Sequence, residues 1–265
     1  MLERGPYTLV IGPSPVETDF LSTKKFQFHL RLYIETMALL NVGTVMGLWI
    51  ALTTGICLLF LPYEFSITGN FTVLGLLIFN NLNILIAICE ICLGLNIMFI
   101  KEDYISLRET YKGKEWKGCL AYLTMPLTTS QIFDPRTWSK MWSAYALYDI
   151  SYQNHESFGF FIDFGNGMST IPPCVLINAA IMFPHKVSPL LVGCVGLATY
   201  WQITYGTLVY LLSFFFNRRW EGKPMVSVLA FVGFSNSIWI AAPALGIYAC
   251  VCILRDGDMS VFSAS

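Results

Sequence analysis

Five stretches of this chain, 32–61, 72–100, 158–183, 189–216 and 225–254, are almost continuously apolar. A bilayer core about 30 Å thick is crossed by about 20 residues of helix, so each stretch predicts a membrane-spanning helix. Polar segments at 62–70 and 217–224 separate the first pair and the last pair, the second of them carrying Arg218, Arg219 and Lys223. Only residues 184–188 part the third stretch from the fourth, which predicts a tight hairpin. The long segment 101–157 mixes charges with aromatics, and Trp116, Trp138 and Trp142 make it read as an interfacial cap at headgroup level. A lid over a cavity is the second reading of that segment. Residues 1–30 lack the charged and apolar regions of a cleavable signal peptide and read as an extramembrane arm. The membrane domain then covers 31–256, followed by a C-terminal tail over 257–265.

Composition strengthens this picture. Hydrophobic residues make up 55% of the 265 positions and charged residues 12%, about half the share of a soluble globular domain. A formal net charge of -1 gives no basic surface for nucleic acid, and no nucleic-acid motif is present. The eight cysteines fall mostly in apolar segments, where a free thiol behaves as a small hydrophobe, so no disulfide framework is expected. Lys and Arg concentrate in the arm and in the segments after the second and fourth helices, favouring a cytoplasmic N-terminus. Asn70 opens a glycosylation sequon on the opposite side, but it abuts the second helix too closely to be used.

Against this apolar background three carboxylates, Glu35, Glu90 and Asp163, lie inside predicted spans. Each costs about 2.5 to 3.5 kcal/mol at membrane depth, so a persistent one normally faces a cavity. Glu35 sits a turn inside the first helix, where pairing with Arg31 four residues earlier is the plainer account. Glu90 shares a helix with Asn80, Asn81 and Asn83, a polar stripe that either lines a site or joins helices by hydrogen bonds. Asp163 lies among Phe160, Phe161 and Phe164, beside Gly165 and Gly167 that let a ligand or a helix come close. A carboxylic acid kept protonated among aromatic rings suits the protonation of an olefin or epoxide, which is a poor base. Asn236 and Trp239 share a helix face before Pro243, offering an amide to orient a substrate oxygen and an indole face to stabilise a cation. No metal-ligand cluster or phosphate loop appears, so neither metal nor cofactor is expected.

Several of these residues also form spaced motifs. Trp142, Tyr145, Asp149 and Tyr152 follow the pattern W-x-x-Y-x-x-x-D-x-x-Y, and Asp163 comes eleven residues later. Asn236, Trp239 and Pro243 follow N-x-x-W-x-x-x-P, and Tyr205-Gly206 with Tyr210 precedes them. Together these motifs resemble those of the emopamil-binding protein family, the EXPERA fold of sterol isomerases and their relatives. The resemblance implies an all-α integral membrane protein, a five-helix transmembrane bundle with an intramembrane cavity. It also implies Glu90 and Asp163 as catalytic acids and Asn236 and Trp239 as substrate-orienting and cation-stabilising residues. Tyr145, Asp149, Asn83 and Tyr205 are expected to bind substrate. The chain departs from the isomerases at Ile86, where they carry a histidine, at Thr207, where they carry an acid, and at Asp163, where they carry a glutamate. His155 is a candidate replacement proton shuttle, although eight residues of helix place it about 12 Å from Asp163, nearer a cavity mouth.

The function expected is a membrane-embedded isomerase or cyclase that acts on a sterol-, terpenoid- or meroterpenoid-like substrate through a carbocation. The alternative is a non-catalytic membrane protein that binds sterols or amphiphilic amines, with a buried carboxylate as counter-ion. Partners are then a hydrophobic small molecule and membrane lipids, with the endoplasmic reticulum as the expected location and a homodimer left open.

Overall fold

The computed structural model describes residues 40–62, 65, 71–155 and 157–263. Glu35, the N-terminal arm, the start of the expected first span and the Asn70 sequon lie outside the described residues. Within them the chain is helical, and the only β pairing is an isolated bridge between Asn41 and Pro126. We label the helices α1 (Val42–Leu59), α2 (Phe71–Leu95), α3 (Ile97–Tyr111), α4 (Glu115–Leu123), α5 (Thr129–Ile132) and α6 (Pro135–Tyr145). They are followed by α7 (Phe158–Met182), α8 (Pro189–Phe216) and α9 (Met225–Asp256).

Local sequence explains most of the boundaries. The Asn41 side chain accepts from the Thr44 amide at 2.9 Å and starts α1, and Ser157 does the same for α7 through the Phe160 amide at 3.2 Å. Asp134 followed by Pro135 starts α6 with a cap and a residue that has no amide to satisfy. Gly257 closes α9 at φ 74°, a left-handed conformation that costs glycine little. The second apolar stretch does not continue to residue 100: it breaks at Asn96, whose amide donates to the Cys92 carbonyl at 3.1 Å. Ile97 to Ile100 therefore form the first turn of α3 instead of the end of a span. Residues Leu229–Phe234 of α9 form a π turn, which shifts the register of everything that follows.

Four helices, α1, α2, α7 and α9, are long and apolar enough to cross a membrane, which is compatible with an integral membrane protein. The stretch expected as the fourth span forms an unbroken helix of 28 residues, α8, but no 18-residue window of it reaches the mean hydropathy of the other four. Thr199, Gln202 and Thr204 interrupt its middle. The segment expected to lie as an interfacial cap is mostly helix, α3 to α6. Of its tryptophans only Trp116 is exposed, because Trp138 donates to the Ile132 carbonyl at 2.8 Å and Trp142 to the Cys89 carbonyl at 2.8 Å.

Helices α2, α7, α8 and α9 close a ring in which each packs on the next and α9 returns to α2; α1 lies outside against α2. Glycines allow the tightest approaches. A side chain at Gly167 of α7 would meet the Ala87 carbonyl and the Glu90 Cβ of α2, both at 2.8 Å. Polar side chains then tie the ring together. Asn80 donates to Asn178 at 2.9 Å, Asn178 to Asn81 at 3.1 Å and Asn81 to Thr54 at 3.2 Å, while the Tyr200 hydroxyl donates to Asn80 at 2.9 Å. This ladder links α1, α2, α7 and α8 through groups removed from solvent. Replacing Asn178 by Ala leaves Asn80 without its acceptor and Asn81 without its donor. The expected loss is about 1 to 2 kcal/mol of stability, read as a lower thermal midpoint of the detergent-solubilised protein.

Candidate functional site

A cavity of about 510 Å³ opens inside the ring of helices, walled mainly by hydrocarbon and aromatic side chains. Glu90 from α2 and Asp163 from α7 both line it. Glu90 is 4% exposed and accepts two bonds from the Asn166 amide nitrogen, at 3.1 and 2.9 Å. Asn166 stands three residues after Asp163, on the same face of α7, so one helical turn carries both the second acid and the group that holds the first. The approach permitted by Gly167 brings this turn against Glu90. Asp163 is half-buried and hydrogen-bonded to the Tyr152 hydroxyl.

Residues before α7 roof the carboxyl pair. Trp142 stacks on Tyr152 with ring centres 5.1 Å apart, and Tyr145 meets Tyr152 edge-on at the same distance. Burial pushes the Tyr145 and Tyr152 phenols well above their usual range, so both remain neutral hydrogen-bond donors. The Tyr145 oxygen accepts from Asn236 at 3.0 Å and pairs with the Tyr210 hydroxyl at 3.2 Å. Trp142, Tyr145 and Tyr152 of the segment read from sequence as an interfacial cap thus line the cavity.

On α9, Asn236 and Trp239 line the cavity just after the π turn. The wider turn frees carbonyls that are taken up locally: Ser235 donates to Phe231 at 2.5 Å and Asn236 to Val232 at 2.8 Å. With its other amide hydrogen on Tyr145, Asn236 has only its carbonyl oxygen left for a ligand. It is therefore suited to accept from a substrate hydroxyl and has no hydrogen to offer a substrate oxygen. The Trp239 indole N–H is spent on Asn83 at 3.2 Å, which fixes the ring and leaves its π face for a ligand.

Other expected contacts lie elsewhere. Asn83 is fully buried, joining Trp239 to Thr170 at 3.1 Å, and does not line the cavity. Asp149 is fully buried too, but its carboxylate pairs with Arg219 at 3.0 Å and caps the turn that follows it through the Ser151 amide at 2.9 Å. Tyr205 is 55% exposed and stacks on Trp201 at 6.1 Å, because it sits on the outer face of α8. His155 is exposed just before α7 and does not line the cavity, and Glu35 lies outside the described residues. Four polar cavity residues escaped the sequence reading: Asn166, Ser169, Gln202 and Ser235. The spacing of Asn166 from Asp163 carries a signal for it; a lone Gln in an apolar helix carries one for Gln202.

Among the described residues no group of three or more His, Cys, Asp or Glu is placed to hold a metal ion. The Asp149–Arg219 pair instead fastens the α8–α9 connection to the turn that carries Tyr152. Asp149→Asn is expected to leave the Arg219 charge uncompensated and cost about 3 kcal/mol or more, the usual result of breaking a buried pair, measured by thermal unfolding in detergent.

Set against protein-family models, curated proteins and solved structures, the chain finds no match.

Proposed function

We propose that this chain is a membrane-embedded isomerase or cyclase that acts on a sterol-, terpenoid- or meroterpenoid-like substrate, and that it is a five-helix bundle of the EXPERA type with its cavity at membrane depth. One observation carries the reading: two carboxyl groups from different helices meet in one cavity walled by aromatic rings. Like charges so placed repel, which favours a single proton shared by the pair. Asn166 offers Glu90 two bonds and Tyr152 offers Asp163 one, so Glu90 is the better-held anion and Asp163 is taken as the acid.

In the reaction proposed, Asp163 gives its proton to an olefinic carbon or an epoxide oxygen, leaving a carbocation. The cation then either migrates or is captured by a second double bond, and a neighbouring carbon loses a proton to Glu90. The two acids exchange protonation states, and a proton returning from Glu90 to Asp163 restores the start. The Trp239 face and the rings of Trp142 and Tyr145 stabilise the cation and keep water from quenching it. Tyr152, bonded to Asp163, positions the donor.

A second reading, binding without turnover, draws support from Ile86, which lines the cavity one turn before Glu90 and leaves no imidazole there to move a proton. The carboxyls then serve as counter-ions for a ligand amine. The two readings separate in deuterated water, with membranes containing the protein and sterol or polyprenoid candidates. Turnover is expected to place deuterium on carbon where an olefin takes the proton, and to open an epoxide to its alcohol where the oxygen takes it. Asp163→Asn and Glu90→Gln are each expected to lower the rate by 10²- to 10⁴-fold, the usual contribution of a positioned acid or base, with expression intact. Ligand binding with neither a deuterated product nor a ring-opened one overturns the catalytic reading.

A further inference from the structure

The cavity has a wall that is also outer surface. Phe161, Gly165 and Ser169 of α7 and Gln202 of α8 all line it, and all four are exposed. Ser169 and Gln202 stand near the midpoints of their long helices, and the Gln202 amide donates to the Ser169 hydroxyl at 2.7 Å across the seam between them. An amide and a hydroxyl at this depth, facing outward, are costly in hydrocarbon unless they have a use. Ser169 also donates to the Gly165 carbonyl one turn back at 2.8 Å, so the hydroxyl is satisfied from within α7 when Gln202 turns away. Gln202 has no such second partner among the described residues.

We propose that the seam between α7 and α8 is the entrance of the cavity, through which an oxygen-bearing lipophile enters sideways from the bilayer, and that Gln202 exchanges Ser169 for the substrate's hydroxyl or carbonyl oxygen. This rests on the catalytic site described above and adds a substrate requirement to it. Asp163 lies six residues before Ser169, about 9 Å along the helix axis at 1.5 Å per residue. The substrate therefore carries its oxygen remote from the carbon or epoxide that takes the proton, offset along α7 by about 9 Å. That separation suits a polycyclic or prenylated alcohol or ketone and excludes a plain hydrocarbon. Gly165, between Asp163 and Ser169, keeps the passage open: nothing lies within 4 Å of where its side chain would be.

The test uses photoreactive diazirine probes in phosphatidylcholine vesicles that contain the full chain: a sterol alcohol and a polyprenyl alcohol, each beside its deoxy twin. Labelled peptides are located by mass spectrometry. In the wild type at least one alcohol is expected to label the α7–α8 peptides about threefold more than its twin, a modest net gain because the bond to the substrate replaces the one to Ser169. Gln202→Leu is expected to reduce that preference to about one while labelling by the deoxy probe persists, which also reports that the variant is folded. Asp163→Asn is expected to keep the preference, since entry does not need the acid. Equal labelling by both members of each pair in the wild type, a preference that survives Gln202→Leu, or no labelling by any probe overturns the proposal. Because the readout is labelling of a variant without the acid, it stands apart from deuterium incorporation, and either idea can fail while the other holds.

Discussion

A polar group placed inside a bundle of apolar helices has only its own helix and its neighbours to bond with, and that constraint organises this molecule. The asparagines of α2 meet it pairwise, Asn80 and Asn81 through Asn178 of α7, and Asn83 through Thr170 and Trp239. Each bond fixes the rotation of one helix against another. Between apolar surfaces that slide easily, a few directional bonds decide which faces look inward. The register that results turns Glu90 toward α7, where Asn166 meets it.

The same economy shapes the cavity. Groups that would otherwise compete for a ligand are already bonded: the indole N–H of Trp239, the amide hydrogens of Asn236 and the Tyr145 hydroxyl all have protein partners. What remains for a ligand around the carboxyl pair is the two acids, the faces of aromatic rings and the Asn236 amide oxygen, with Gln202 and Ser169 at the seam between α7 and α8. An inner site whose donors are mostly engaged in this way suits a reaction through a cation, with polar recognition left to its edge. The π turn in α9 is part of this arrangement, since it sets the rotation of Asn236 and Trp239 relative to the start of their helix.

Where sequence and structure part, the cause is a competing partner. Asp149 carries a charge in a motif with Trp142, Tyr145 and Tyr152, all of which line the cavity, yet Arg219, 70 residues later, takes up its carboxylate. Tyr205 and Gly206 are neighbours in the chain, but on a helix they point about 100° apart, and only Gly206 faces the cavity. Trp138 and Trp142 have the composition of an interfacial belt and are buried because backbone carbonyls of α5 and α2 lie within reach.

The order of apolar and polar residues predicted five long apolar helices, of which four among the described residues are long and apolar enough to cross a membrane, and marked Glu90 and Asp163 as out of place unless they face a site. It did so because helix length and hydrophobicity are local properties, and an acid in hydrocarbon is costly wherever it sits. Only the tertiary structure decided which polar groups of the stripe on α2 join helices and which one faces a cavity. That choice depends on rotation and on contacts up to 156 residues apart, such as the bond from Trp239 to Asn83. The place of Asn166 against Glu90, of Gln202 against Ser169, and of Arg219 against Asp149 was decided in the same way.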